Sequence, residues 1–289
     1  MLKQILISLR VRHWFKNLLV FTPLVFARHF FESHLFFQAA LIFVLFSLLA
    51  SGIYLWNDIF DRKEDALHPR KRLRPVASGQ LSALAAGGAS TLLLTGALLG
   101  GLFFSPDLFF VFAGYLVLQF FYTALLRRVV ILDVFLVAFG FVLRVYAGAL
   151  PFNIPVSHWL VSSVFVLALL LVFAKRYQEI KVLAETAAEH RATLGRYDLQ
   201  LLNAIILVCA ATVLVSYLLY TADPATVAKF GTVNLIYTAP FVFFGIFRFL
   251  YHLYRGQIPD NPLEIIFRDG YLLGAVLLWG LSVLLLIYH

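Results

Sequence analysis

Asp58, Asp61 and Asp65 stand at i, i+3 and i+7 in the run Asn57-Asp58-Ile59-Phe60-Asp61-Arg62-Lys63-Glu64-Asp65. If the helix before them continues, 3.6 residues per turn places the three carboxylates on one face over about 10 Å. Carboxylate oxygens so placed can hold Mg²⁺, with a substrate's phosphates completing the octahedral shell. The run His68-Pro69-Arg70-Lys71-Arg72-Leu73-Arg74-Pro75 follows, and its cations can meet phosphate directly. The two runs put four acidic and six basic side chains into seventeen positions, in a chain with only 13% charged residues. Mixed charge just past an apolar helix is commonly a solvated loop. Here the helical spacing of the acids, the apolar span ending at Asn57-Asp58 and the bracketing prolines favour a metal-diphosphate site.

A second charged cluster reads Ala174-Lys175-Arg176-Tyr177-Gln178-Glu179-Ile180-Lys181, with a polar stretch to about Asp198. On a helix Lys175, Arg176 and Glu179 can point together, and Tyr177 and Lys181 form an i, i+4 pair. Alone this is a weak signal. Its expected placement opposite the first cluster favours a binding role. Near the N-terminus, Arg10, Arg12 and Lys16 flank Trp14, which suits topology anchoring at an interface or a reach by Arg12 or Lys16 to a bound phosphate. The run Gln119-Phe120-Phe121-Tyr122-Thr123 leads to Arg127 and Arg128, read as stop signals, and Asp133 either pairs with them or faces a cavity. Arg144 lies inside an apolar span. That is costly unless it meets a partner in the bundle, a wet cavity or an anion, and the residue is divided between a structural and a substrate-side role. Glu264 and Arg268 make an i, i+4 pair that serves equally as a surface ion pair or part of a site. His68 is either a helix-ending residue or a ligand.

The elements that must carry these groups are membrane helices. The chain has 289 residues and is 62% hydrophobic, more than a water-soluble domain of this size can hide. A backbone that crosses lipid satisfies its own hydrogen bonds, so the fold class is all-α and polytopic. Taking about 17–25 apolar residues per span, nine spans are expected, at 14–31, 36–56, 82–104, 108–126, 131–150, 158–174, 200–221, 234–253 and 271–288. The first is short and interrupted by Pro23. No linker or repeat divides residues 1–289, which are expected to form a single domain. Gly and Ala in the third span (Gly87, Gly88, Gly96, Gly100, Gly101) suit close helix packing. One cysteine, Cys209, excludes a disulfide framework, and no cleavable signal pattern is expected at the start. With the N-terminus inside, the cytoplasmic segments carry 20 of the 23 Lys and Arg residues, as the positive-inside rule requires. The net charge of +8 therefore describes one face, suited to anionic lipids and substrates and not to nucleic acid.

Nine spans, Asn57-Asp58-x-x-Asp61-x-x-x-Asp65 after the second and a charged loop after the sixth resemble the UbiA superfamily of intramembrane prenyltransferases. Arg12-His13-Trp14-Phe15-Lys16-Asn17, Ser51 to Pro75, Lys175 to Glu179 and Arg268-Asp269 are similar to its polyprenyl-phosphate phosphoribosyltransferase branch. The resemblance implies a helical ring around a central cavity open to lipid, capped by two polar loops at the cytoplasmic face of the inner (plasma) membrane. It implies transfer of 5-phosphoribose from phosphoribosyl pyrophosphate (PRPP) to a decaprenyl-type polyprenyl phosphate, with Mg²⁺ as cofactor. Asn57, Asp58, Asp61 and Asp65 would hold Mg²⁺ and the pyrophosphate of PRPP. Lys16, Lys71, Arg72, Arg74, Tyr122, Lys175, Arg176, Glu179 and Arg268 complete the expected binding set. Lys175 and Arg176 stand where the aromatic prenyltransferases of the superfamily show an acidic pair, which favours cations gripping a lipid phosphate there. Membrane lipids are the other expected partners, and a homo-oligomer is admitted.

The chemistry needs no general base, because a lipid phosphate is already an anion at neutral pH. What requires stabilising is the departing pyrophosphate and an oxocarbenium-like ribose C1. Lys71, Arg72 and Arg74 are expected on the phosphates of PRPP, and Lys175 and Arg176 on the lipid phosphate, with the two roles exchangeable. A prenyl-diphosphate transferase acting on an aromatic or other acceptor would share the metal motif. A transporter would need polar groups along a pathway, whereas here they gather at one face.

Overall fold

The computed structural model describes residues 2–67, 71–124, 126, 129–183, 197–259 and 261–289. His68, Arg70, Arg127, Arg128 and most of the polar stretch before Asp198 lie outside the described residues. Among those described, the regular structure is entirely helical. Eight helical stretches are long and apolar enough to cross a membrane, beginning with Ser33–Phe60 and ending with Gly270–Tyr288. The first expected span differs. A 3₁₀ helix over Val11–Phe21 runs into a short α-helix over Thr22–Phe26, with Pro23 in its first turn. The tighter winding rises about 2 Å per residue, so the whole stretch still covers roughly 30 Å, near the thickness of a hydrocarbon core.

By packing, the chain divides into two compact units, residues 1–127 with 140–156 and residues 128–139 with 157–289. In the first unit, α1 (Leu2–Ser8) leads to the 3₁₀ helix and α2 (Thr22–Phe26), then to α3 (Ser33–Phe60), α4 (Arg62–Leu67), α5 (Ala83–Phe104) and α6 (Pro106–Ala124). The helix α7 (Leu132–Ala147) gives its last residues to this unit. Its core joins Ile42, Phe46 and Leu49 of α3, Ala97 of α5, Phe112 and Tyr115 of α6, and Ala147 of α7. Between helices in lipid, close packing drives association, since apolar burial gains little over acyl chains. Two of the five glycines of α5 serve this. A Cβ at Gly100 would stand 2.7 Å from Leu45, and one at Gly101 3.1 Å from Phe112, while Gly88 and Gly96 meet no neighbour. The tightest approach is at Gly148, where a Cβ would fall 1.8 Å from the Val20 carbonyl oxygen. On the outer face of α5, Leu84 and Phe103 are 89% exposed, as residues turned to lipid are.

Two features position the first charged cluster. At 28 residues α3 is about 42 Å long, so its last turn projects beyond a core of about 30 Å. Beyond α4, a 3₁₀ turn over Lys71–Leu73 delivers Arg74, and after the buried Pro75, Val76 enters a small apolar core with Leu55, Leu81 and Ala86. Ser82 caps α5 by accepting the Ala85 N–H at 3.2 Å.

In the second unit, α8 (His158–Leu183) packs along α9 (Leu199–Ala222). A short α10 (Pro224–Phe230) and a 3₁₀ turn precede α11 (Ala239–Tyr254), which packs on α13 (Gly270–Tyr288) after the one-turn α12 (Ile265–Arg268). The 26 residues of α8 rise about 39 Å, so its Lys175–Lys181 end also outruns the hydrocarbon. That end is tied down: Gln178 donates to the Gly256 carbonyl at 3.0 Å and Lys181 to that of Tyr254 at 3.1 Å.

Candidate functional site

The helix ladder runs almost unbroken through the acidic motif. The Asp61 N–H donates to the Asn57 carbonyl at 2.9 Å and the Asp65 N–H to that of Asp61 at 2.7 Å, with Asp61 as the joint between α3 and α4. Asp58 and Asp65 are buried and Asp61 is half-buried. The first two converge on one guanidinium. Arg74 donates to Asp58 Oδ1 at 3.2 Å and also to Asp65 Oδ2. Asp58 Oδ1 takes a second cation, Arg10, from the far end of the chain. Asn57 turns aside and accepts the Thr123 hydroxyl at 3.0 Å, fixing the end of α3 to the end of α6, where Tyr122 is half-buried. Lys71 is half-buried beside Arg74, and Arg72 is exposed.

Arg10 was expected only as a topology charge. It sits in the left-handed region (φ 52°, ψ 50°) at the corner between α1 and the 3₁₀ helix. Ser51 of α3 holds that corner, donating to the Leu9 carbonyl at 2.8 Å and accepting the Trp14 indole N–H at 3.0 Å. The guanidinium lies 5.0 Å from the Tyr54 ring centre. Burial pulls its pKa down from the ordinary value and Asp58 opposes that fall. Arg12 is exposed and Lys16 half-buried, and Arg10 is an N-terminal residue that bonds Asp58. Asn17 lies deeper. It donates to Ser47 at 2.9 Å and accepts from Arg144 Nε at 2.7 Å. Arg144 also donates to the Gly140 carbonyl at 2.6 Å and the Tyr115 hydroxyl at 2.9 Å, and its guanidinium lies about 5 Å from the rings of Phe46, Tyr115 and Phe141. That is a structural partner set inside the bundle.

In the second unit, Arg176 is buried between Asp133 at 3.3 Å and Glu179 at 2.8 Å, with Lys175 3.7 Å from Glu179. Tyr197 donates to Asp133 at 3.1 Å and accepts the Ile131 N–H at 2.7 Å. Burial pushes the Tyr197 hydroxyl up to about 12, which keeps it a donor. The expected group on α8 therefore forms, and Asp133 joins it. Its arginine already has two carboxylates, while Lys175, 38% exposed, is the more open cation. Arg268 is exposed and 3.5 Å from Glu264, the plain surface pair. A set the sequence reading missed lies nearby in the chain. Asp269 caps α13 through the Leu272 N–H at 2.7 Å, takes Arg248 at 2.7 Å and contacts His252 Nε2 at 2.9 Å. Arg248 and His252 sit i, i+4 on α11, and Asp269 precedes an apolar run, a spacing from which this set was readable.

Residues 18–268 match the model of the UbiA prenyltransferase family. The chain belongs to the UbiA family. It is 31% identical to decaprenyl-phosphate phosphoribosyltransferase of Mycolicibacterium smegmatis, over 94% of this chain and 88% of that one. It is 28% identical to the protein of that name from Mycobacterium tuberculosis, over 94% and 90%. A UbiA homologue from Archaeoglobus fulgidus, solved bound to DMAPP and Mg²⁺, superimposes with a TM-score of 0.71 at 16% identity, over 97% of this chain and 99% of that one, which shows a shared fold. As a UbiA protein with eight long apolar helices among the described residues, it is an integral membrane protein and a transferase.

A UbiA homologue that binds Mg²⁺ raises the question of whether these residues suit that ion. Among the described residues, no group of three or more His, Cys, Asp or Glu side chains stands ready to hold a metal ion. Mg²⁺ does not demand one, because it commonly takes one or two carboxylates and completes its shell with water and substrate phosphate. Asp58 and Asp65 supply two hard oxygen ligands that already close on a single cation, the Arg74 guanidinium. The donors fit.

Proposed function

We propose that this UbiA protein transfers the 5-phosphoribosyl group of PRPP to a decaprenyl-type polyprenyl phosphate, at the cytoplasmic face of the inner membrane. The observation that carries the reading is Arg74 seated between Asp58 and Asp65, two carboxylates and a guanidinium fork in one part-buried set, which is the donor chemistry a metal-diphosphate substrate would need. The relatives' names supply the substrate class. The basic asymmetry of the sequence supports the orientation.

In this reading a lipid phosphate oxygen attacks ribose C1, the C1–O bond to pyrophosphate breaks, and the electron pair leaves with pyrophosphate. Asp58 and Asp65, with Asp61 at the joint, would hold Mg²⁺, which when bound neutralises charge on the leaving group. Arg74, with Lys71 and Arg72 on the turn before it, holds phosphate oxygens of PRPP, bidentately in the case of an arginine. Asn57, held by Thr123, and Tyr122 orient the donor, and Lys16 lies in the N-terminal segment anchored by Ser51. Lys175 meets the lipid phosphate. Arg176, engaged by Asp133 and Glu179, would have to exchange a carboxylate for the phosphate or else position Lys175 through Glu179. Arg268 remains an outer contact, and the reading takes residues 1–289 as a single UbiA-like domain.

The test is purified protein with ribose-labelled PRPP, polyprenyl phosphate and Mg²⁺, with prenyl diphosphate and an aromatic acid offered separately. Label entering the lipid phase supports the reading. Consumption of prenyl diphosphate with PRPP untouched would replace it with aromatic prenyl transfer.

A further inference from the structure

Arg10 and Arg74 leave the carboxylates in an unusual condition for a metal motif. Asp58 Oδ1 accepts from both arginines and Asp65 Oδ2 from one, so two carboxylates and two guanidiniums make a neutral, part-buried set. Adding a divalent cation while both arginines stay would crowd like charges where solvent screens them poorly. Something has to move. The carboxylates are fixed to the helix ladder of α3 and α4, whereas the arginines are long side chains with 22% and 28% of their surface open to solvent. Their backbones are held in place, Arg10 by the Ser51 contacts and Arg74 by the buried Pro75 and by Val76 in the apolar core, so a displaced fork stays beside the site. The left-handed backbone at Arg10 costs about 1–3 kcal/mol in general terms, and the Ser51 bonds, the Tyr54 ring and the Asp58 contact together hold the corner that aims it at Asp58.

We infer that Arg10 is a further substrate-binding residue: it holds Asp58 in the metal's place and, with Arg74, turns to the substrate's diphosphate when the metal arrives. The inference rests on the Mg²⁺ and PRPP reading above. Partner exchange gives two effects of opposite sign. Arg10 competes with the metal for Asp58 and cooperates with it in holding diphosphate, so filling the carboxylates releases the forks that grip the anion.

Mg²⁺ and inorganic pyrophosphate serve as probes, with affinities read by titration calorimetry on detergent-solubilised full-length protein and no turnover involved. Arg10→Gln should bind Mg²⁺ alone about tenfold more tightly and, at saturating Mg²⁺, bind pyrophosphate about tenfold more weakly. Arg62→Gln, on the exposed side of α4, controls for general loss of charge and should move neither constant beyond about twofold. A merely structural Arg10 would weaken both ligands or neither, and either result overturns the inference. So does absence of Mg²⁺ binding by wild type. If Arg10→Gln does not fold, Arg10→Lys decides: it keeps the charge and loses the fork, so pyrophosphate should weaken by at least about threefold, and wild-type pyrophosphate affinity would sink the proposal. Failure here with phosphoribosyl transfer intact would remove Arg10 from the site and leave the proposed activity standing.

Discussion

Replacing Arg144 by methionine should cost stability and leave substrate binding almost untouched. The guanidinium makes three hydrogen bonds at 2.6–2.9 Å, to Gly140, Asn17 and Tyr115, and is 4% exposed. Side-chain hydrogen bonds inside membrane bundles are worth about 0.6 kcal/mol each on average and up to about 1.7, values already net of desolvation. Three of them give about 2–5 kcal/mol. Methionine fills similar space but leaves the Asn17 oxygen and the Tyr115 hydroxyl without that donor. The assay is reversible unfolding in mixed micelles of wild type, Arg144→Met, Tyr115→Phe and the double mutant. The cycle isolates the Arg144–Tyr115 bond, with a coupling of about 0.6–1.7 kcal/mol expected. Apparent KM for PRPP and for polyprenyl phosphate should stay within about twofold, since the removed bonds are equal in ground and transition states. Stability within about 0.5 kcal/mol of wild type, joined to a tenfold rise in either KM, would show that Arg144 serves the substrate and that its bundle contacts are incidental.

Asp58→Asn and Asp61→Asn should each lower turnover by at least about 10²-fold, the common cost of losing one charge-stabilising group, and activity within about threefold of wild type for both would remove the acidic motif from the reaction. Arg176→Ala should destabilise the protein by about 3–5 kcal/mol, because it takes a cation away from the buried Asp133, which keeps the Tyr197 hydroxyl; Asp133→Asn in the same chain should recover much of that, and a fully additive double mutant would show that the pair is not coupled. Hydrogen bonding from Arg248 holds the Asp269 carboxyl well below the usual carboxylate range, helped by the Leu272 N–H and His252. A depressed pKa stabilises the folded state above the unfolded value of about 3.9, and the contribution is lost as pH falls through the folded value. The stability gap between wild type and Asp269→Asn should therefore narrow below about pH 4, and a gap that widens on acidification would contradict the assignment.

What the sequence could reveal was local. Runs of apolar residues located the eight long apolar helices of the described residues, because a backbone in lipid has few alternatives to a helix; most ends fell within a few residues, but α8 runs on to Leu183 where the span was expected to stop at 174. Of the three acids at i, i+3 and i+7, Asp58 and Asp65 meet at Arg74, while among the described residues Asp61 does not complete a three-carboxylate group with them; i, i+4 spacing correctly paired Glu264 with Arg268. The first span was read as membrane-crossing without its 3₁₀ character, since hydropathy counts length and not winding. The misses are long-range pairings. Arg10 meets Asp58 48 residues away, and Arg144 meets Asn17 across 127. A charge near an N-terminus and an arginine in a span carry the same local signature whether they anchor, pack or bind. Asp133 was expected to pair with Arg127 and Arg128, which lie outside the described residues, or to face a cavity; its observed ion-pair partner, Arg176, lies on another helix.

Pyrophosphate release measures directly which bond breaks. Purified protein with Mg²⁺ should release pyrophosphate from PRPP only when polyprenyl phosphate is present, one for each phosphoribosylated lipid formed, with Asp58→Asn silent in the same assay. Pyrophosphate released from a prenyl diphosphate plus an aromatic acid, with none from PRPP and lipid phosphate, would contradict the account.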